Sequence, residues 1–395
     1  MEAYASEWLQ LLFRWIHLIT GIAWIGPSFY FVFLDNSLLP PKRTDEGDAG
    51  VGGELWAVHG GGFYHVQKYR IAPATLPDPL HWFKWEAYST WLSGFALYVV
   101  MYYVHADVYM IDRNVADIAP STAVGISVAT LIAGWLFYDQ LCRSLGLERE
   151  WIIAIAMVAF MTLVAWGFAH VYSGRAMYMQ VGAMLGTLMA ANVLFVIIPS
   201  QKKLVEAKER GAALDPIYGQ RGKQRSVHNN YFTLPVLFIM ISNHYPMTFG
   251  HRHAWLVLLA IVLLAAYVRH FFNLRHKGRT VWAIPVTAAL GALALAVVIA
   301  PSRPDTTAGF TFAEVQRIVG DRCVSCHAER PRHDGFAVAP KGLLLETPAQ
   351  IVANAHKINE QTVLTRAMPI GNLTHMTDAE RATLAAWIAA GAPVN

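Results

Sequence analysis

Cys323-Val-Ser-Cys326-His327 places two thiols three positions apart with an imidazole directly after them. Thiols at this spacing can each add to one vinyl group of a haem, and the adjacent imidazole then serves as an axial iron ligand. A zinc site is the competing chemistry, but it needs two more ligands. No second C-x-x-C follows, and the remaining cysteine, Cys142, stands alone at the end of an apolar segment. Haem c attachment is therefore expected at Cys323 and Cys326, with His327 on the iron. The sixth ligand should come from further along the chain. Met368 directly precedes Pro369 and is the first choice; Met376 in the same loop is its rival, and a histidine is the remaining option. His327 with Met368 would raise the potential, which suits an electron acceptor.

The elements that carry this motif are helical. Thr311-x-x-Glu314, Thr347-Pro348-x-Gln350 and Thr377-x-x-Glu380 each pair a capping threonine with Glu or Gln three residues on. They predict a small all-helical domain over 310–395, similar to a class I cytochrome c, whose haem supplies core that so short a chain lacks. Residues 301–309, with two prolines, read as a linker.

The 395 residues are 55% hydrophobic and only 15% charged, against about 25% charged in soluble proteins. Apolar stretches of membrane-crossing length recur. The pattern predicts eight helices near 8–34, 82–104, 121–141, 151–172, 177–198, 229–245, 253–273 and 281–300. The expected fold class is thus all-α: an eight-helix polytopic membrane domain over 1–300 followed by the cytochrome-like domain. Only Glu2 and Glu7 are charged ahead of the first span, so a cleavable secretion signal is not expected. The net charge of +4 describes topology rather than partners, and no nucleic-acid footprint is present. Connections on one side carry seventeen Lys and Arg, those on the other only Arg113, Arg175 and Arg252. This bias places both termini outside, in the periplasm of a bacterial inner membrane. Haem attachment at C-x-x-C-H, which takes place outside the cytoplasm, demands the same orientation.

Ionisable groups inside a bilayer are costly and mark candidate sites. Arg14 and His17 share one face of the first helix with Gly21 and Trp24, room for a planar group beside an imidazole. His17, His105, His170, Arg175 and His244 fall in the outer half. Two of His17, His170 and His244 could hold an intramembrane haem b, although any one alone would read as an ordinary interfacial histidine. The inner side carries a glycine loop, His59-Gly-Gly-Gly-Phe-Tyr-His65-Val-Gln-Lys68-Tyr69, which reads as a substrate contact or a re-entrant turn. It also carries His228-Asn229-Asn230, Arg269-His270 and Asn192. This set of amide, imidazole and guanidinium suits a flat, hydrogen-bonding, anionic heterocycle.

Several long segments carry a family resemblance: Arg14-Trp-Ile-His17-Leu-Ile-Thr-Gly21-Ile-Ala-Trp24-Ile-Gly26, the glycine loop, His81-Trp-Phe-Lys-Trp-Glu86, Ala183-Met-Leu-Gly-Thr-Leu-Met-Ala-Ala-Asn192, and His228-Asn-Asn-Tyr-Phe-Thr-Leu-Pro-Val-Leu with Ser242-Asn-His-Tyr-Pro246. With the C-terminal C-x-x-C-H, they resemble the bacterial membrane-bound urate oxidases fused to cytochrome c. The likeness covers essentially the whole chain. It implies oxidation of urate to 5-hydroxyisourate, with electrons passing to the fused haem and on to a downstream cytochrome c or terminal oxidase. Only the haem residues Cys323, Cys326, His327 and Met368 carry over firmly.

Urate oxidation would need an anion clamp, amide partners for the carbonyls and a proton acceptor. Asn229, Asn230, Arg269 and His270 are the candidates, with His59, His65 and Lys68 from the glycine loop. An inner pocket would lie roughly 30 Å from an outer haem, the thickness of the bilayer core. Either the pocket is in the outer half, or a second cofactor bridges the gap. The rival classes are a non-catalytic, membrane-anchored cytochrome c conduit and a haem- or copper-handling membrane protein.

Overall fold

The structure is a computed structural model that describes residues 2–43, 47, 50–300, 306, 308–333 and 335–394. The first helix, α1 (Glu2–Ser37), leaves Trp8, Leu11, Trp15, Leu18 and Ile22 exposed. An uncovered apolar face of this size is stable where lipid, not water, surrounds it. A hairpin of β1 (Val51–His59) and β2 (Gly62–Tyr69) follows. Next come α2 (Trp85–Tyr98), prolonged by a π-helical turn through Tyr103, and the short α3 (Ala106–Tyr109). Then follow α4 (Pro120–Leu145), α5 (Glu150–Ala169) and α6 (Gly174–Asn192). A π turn joins α6 to α7 (Ile198–Glu209). The remainder of this part is α8 (Pro216–Ser242), α9 (Pro246–Phe249), α10 (Ala254–His276) and α11 (Ala283–Val298).

Among the described residues, five helices are long and apolar enough to cross a membrane: Trp8–Ser37 of α1, α4, α5, the run Gly174–Glu209, and α10. The shorter α11 is also apolar. At the centre stands α6, buried on nearly every face through Tyr178, Val181, Met184, Leu185 and Leu188. A helix apolar all round must lie inside, and glycines let its neighbours close on it. A Cβ at Gly182 would collide with Ile239 of α8, and one at Gly134 of α4 would sit 3.1 Å from Met184.

The C-terminal part has its own core. Phe312, Val315, Ile318 and Val319 of α12 (Phe312–Arg322) pack on Leu384 and Trp387 of α15 (Asp378–Ala389). Between them lie α13 (Pro348–Ala353) and α14 (Ala355–Ile358). Thr311, Thr347 and Thr377 cap their helices, the last two as complete reciprocal boxes with Gln350 and Glu380.

Two expectations are corrected. The chain is mostly helical rather than all-α, because the glycine loop folds as an antiparallel hairpin. Gly60 and Gly61, at φ +58° and +80°, form its two-residue turn, the conformation that matches strand twist. The sixth helix begins at Pro216 rather than near 229, because Asp215 caps it and Pro216 occupies its first position. Arg225, ahead of the helix expected from 229, therefore sits buried inside α8. Most of the linker expected over 301–309 lies outside the described residues.

Candidate functional site

The helical bundle contains two polar clusters with opposite character. In the first, every group has a partner. Asn192 of α6 donates to the Asn229 side-chain oxygen at 2.8 Å and to the Tyr138 hydroxyl at 3.1 Å. Asn229 itself donates to the Met189 carbonyl. Arg225 donates to Asn192 and to Asp139, and its guanidinium lies 4.7 Å over the Tyr138 ring. Tyr138 is within 2.8 Å of His228 Nδ1, and His228 Nε2 within 2.8 Å of Glu150. Because the Tyr138 oxygen accepts from Asn192, its proton points to His228, whose Nε2–H then donates to Glu150. This cluster ties α4, α5, α6 and α8 together, and its closed network leaves little for a ligand.

In the second cluster the pairing is incomplete. Arg269 of α10 is 4% exposed. It donates from Nε to the Asn230 oxygen at 2.8 Å and rests 4.1 Å over the Phe29 ring. Its Nη2, the Asn230 amide nitrogen, the Asn273 oxygen and His276 Nδ1 are buried without a hydrogen-bond partner among the described residues. Each orphaned polar atom costs on the order of 1–3 kcal/mol, so the cluster is poised to gain from a polar ligand. Arg269, Phe272, Asn273 and His276 follow at i, i+3, i+4 and i+7, one stripe of α10. Beside the stripe is a cavity of about 420 Å³ lined by Phe29, Tyr30, Phe33, Leu234, Arg269, Phe272 and His276. Four aromatic side chains, one guanidinium and one imidazole make a wall suited to a flat, anionic ring.

The sequence-derived candidates divide accordingly. Asn230 and Arg269 meet at the aromatic cavity. Asn229 belongs to the closed network. His270 turns to the Tyr231 hydroxyl, 2.7 Å away. His59 is exposed at the hairpin turn, His65 is bonded to Glu54 at 2.6 Å and stacked on Trp56, and Lys68 pairs with Asp35. None of these three lines the aromatic cavity. Hydrogen bonds from His65 and the Lys42 amide hold the Glu54 carboxyl below its ordinary range. Sequence reasoning placed Asn273 beside Arg269 but missed Phe29 and His276. The helical spacing of Asn273 and His276 from Arg269 was visible, but not that Phe29 of α1 closes over Arg269.

His17 and His244 line a second cavity, of about 1250 Å³. His170 does not; its Nδ1 bonds the Trp166 carbonyl of its own helix. Met368 and Met376 also line this space.

The thiols and imidazole of the C-terminal part suit covalent haem. Cys323 and Cys326 occupy the turn that ends α12, where the Cys326 and His327 amides bond the Cys323 carbonyl. His327 Nδ1 bonds the Leu343 carbonyl at 3.0 Å, which leaves Nε2 as the nitrogen for iron. Burial holds that imidazole below its ordinary value and pushes the Cys323 thiol up to about 12. The Met368 loop is pinned by its amide to Gln361 and by Arg381 to its carbonyl. Met376 packs into the domain core.

A helical, largely apolar chain with a buried arginine–asparagine site is consistent with a membrane enzyme acting on a small polar ring. The chain belongs to the urate oxidase N-terminal family, whose model matches residues 3–300. No curated protein and no solved structure matches it.

Proposed function

We propose that this chain is a membrane-bound urate oxidase that crosses the bilayer eight times and delivers electrons to a covalent haem c held by its own C-terminal domain. The observation that carries the reading is the Arg269–Asn230 pair, with two unpartnered N–H donors beside an aromatic cavity. Urate at neutral pH is a planar monoanion with carbonyl acceptors and ring N–H donors. Arg269 Nη2 and Asn230 Nδ2 would donate to its oxygens, while the Phe29, Phe33 and Phe272 rings cover its apolar faces. Asn273 Oδ1 would accept a ring N–H, and His276 Nδ1 would take the proton released in oxidation. Addition of water at C5 completes the balance: urate and water give 5-hydroxyisourate, two protons and two electrons. Haem c, held by Cys323, Cys326, His327 and Met368, supplies one-electron acceptance when bound.

The test is anaerobic addition of urate to oxidised, detergent-purified protein while following the haem c α-band. Reduction by urate, lost in Arg269→Ala with covalent haem retained, is expected. If dithionite reduces the haem and urate does not, the chain is an electron conduit for another donor.

A further inference from the structure

The aromatic site and the haem-bearing domain lie at opposite ends of the same helices. Arg269 is fifteen residues from Ala254 at the outer end of α10, roughly 22 Å at 1.5 Å per residue. Phe29 is twelve residues inward of His17 on α1, about 18 Å by the same rise. A direct electron transfer would have to cross that span. The outer cavity lies between, and its volume of about 1250 Å³ exceeds the roughly 300–1,000 Å³ of an ordinary cofactor site. One wall is the Met368 loop; the other is membrane helix.

On the helical wall, His17 is held as an iron ligand needs to be. Its Nδ1 bonds the Thr90 carbonyl at 3.0 Å and lies 3.3 Å from the Ser93 hydroxyl. Because a carbonyl can only accept, the proton is on Nδ1 and the Nε2 lone pair is left for a metal. Gly94 lies against the ring; a Cβ there would sit 2.6 Å from His17 Cε1. Its bare backbone also opens the cavity beside the imidazole. His244 lines the same cavity, with no hydrogen bond from its ring among the described residues. Arg14 and Arg175 also border it. Among the described residues Arg14 donates a hydrogen bond only to the weak acceptor Met101 Sδ, so much of its charge is open to a carboxylate.

We propose that this wall binds a non-covalent haem b, with His17 Nε2 and His244 as axial ligands and Arg14 and Arg175 on its propionates. The need for a relay rests on the urate reading; the binding site does not. A group held there would accept the two electrons of the oxidation one at a time and pass each to the haem that Cys323, Cys326 and His327 would hold, for a one-electron acceptor downstream to remove. Of the two protons, one would go to His276 Nδ1 and the other to solvent.

The experiment is a pyridine haemochrome analysis of the full-length protein, before and after acid–acetone extraction of non-covalent haem, without urate. One extractable haem b per covalent haem c is expected. His17→Ala and Gly94→Leu should each lose the extractable haem and keep the covalent one. Electron paramagnetic resonance of the oxidised wild type should show a second low-spin ferric species alongside that of haem c. Covalent haem alone in the wild type, or full haem b in both variants, would overturn the proposal; retention in His17→Ala alone would remove His17 as ligand and overturn it equally. Failure of urate to reduce a protein that contains both haems would instead defeat the urate reading.

Discussion

Asn229 and Asn230 are chain neighbours, yet they face different chemistry. Asn229 is locked between Asn192 and the Met189 carbonyl, whereas Asn230 uses its oxygen on Arg269 and leaves its amide nitrogen unpaired. Their alanine variants should therefore separate. Asn229→Ala orphans an Asn192 amide proton, and should lower stability by about 1–3 kcal/mol with the KM for urate little changed. Asn230→Ala orphans the buried Arg269 Nε–H, and should lower stability by a similar amount while also raising KM. Arg269→Lys keeps the charge but loses the planar fork over Phe29. Losing one charge-assisted hydrogen bond, about 1.5–3 kcal/mol, should raise KM by roughly 10- to 150-fold. Anaerobic titration of haem reduction against urate measures both constants, and an unchanged KM in Arg269→Lys would remove the arginine from the site.

Among elements, α6 and the hairpin make contrasting predictions. Gly182 brings α6 so close to α8 that any side chain meets Ile239. Gly182→Leu should cost about 1–3 kcal/mol by overpacking and displace the helix that carries Asn229 and Asn230. A thermal melt and the urate KM would then change together. The hairpin is held on its inner face by Glu54, whose carboxyl is depressed by bonds from His65 and the Lys42 amide. A carboxyl lowered on folding stabilises above its ordinary value, and that contribution is lost as pH falls through the lowered one. The protection factors of the β1–β2 amides, referred to the intrinsic exchange rate at each pH, should fall as pH drops through the lowered Glu54 value, and His65→Ala should remove most of that dependence. A flat profile in the wild type would show that the pair does not hold the hairpin.

At the scale of the molecule, the C-terminal domain seats its Met368 loop directly on the membrane part. A Cβ at Gly250, just before α10, would run into the Thr365 carbonyl, and one at Gly371 would lie 2.7 Å from the Ile111 carbonyl. Gly250→Val should lift the domain without touching Cys323 or Cys326. Stopped-flow reduction of haem c by urate should slow, while reduction by dithionite keeps its wild-type rate. Equal slowing of both would point to damage at the haem itself.

What the chain determined unaided was local. The C-x-x-C-H spacing, the threonine caps at 311, 347 and 377, and the apolar runs depend on chemistry within a few residues, and so they read directly from the order of side chains. The hairpin had its signal as well, in two glycines between alternating residues, but the apolar surroundings outweighed it. Only the tertiary structure decided which polar groups belong to a site. Asn229, Asn230 and His270 have the same credentials in sequence, each a hydrogen-bonding group in an apolar helix, and Arg225 reads as a charge ahead of one. Their roles depend on which helix lies opposite: α6 satisfies Asn229, Tyr231 takes His270, and Asp139 neutralises Arg225. Arg269 meets an aromatic ring of α1 and has its Nη2 left over for a ligand. A buried polar group must find a partner, and the partner is set by packing between segments far apart in the chain, which no local pattern records.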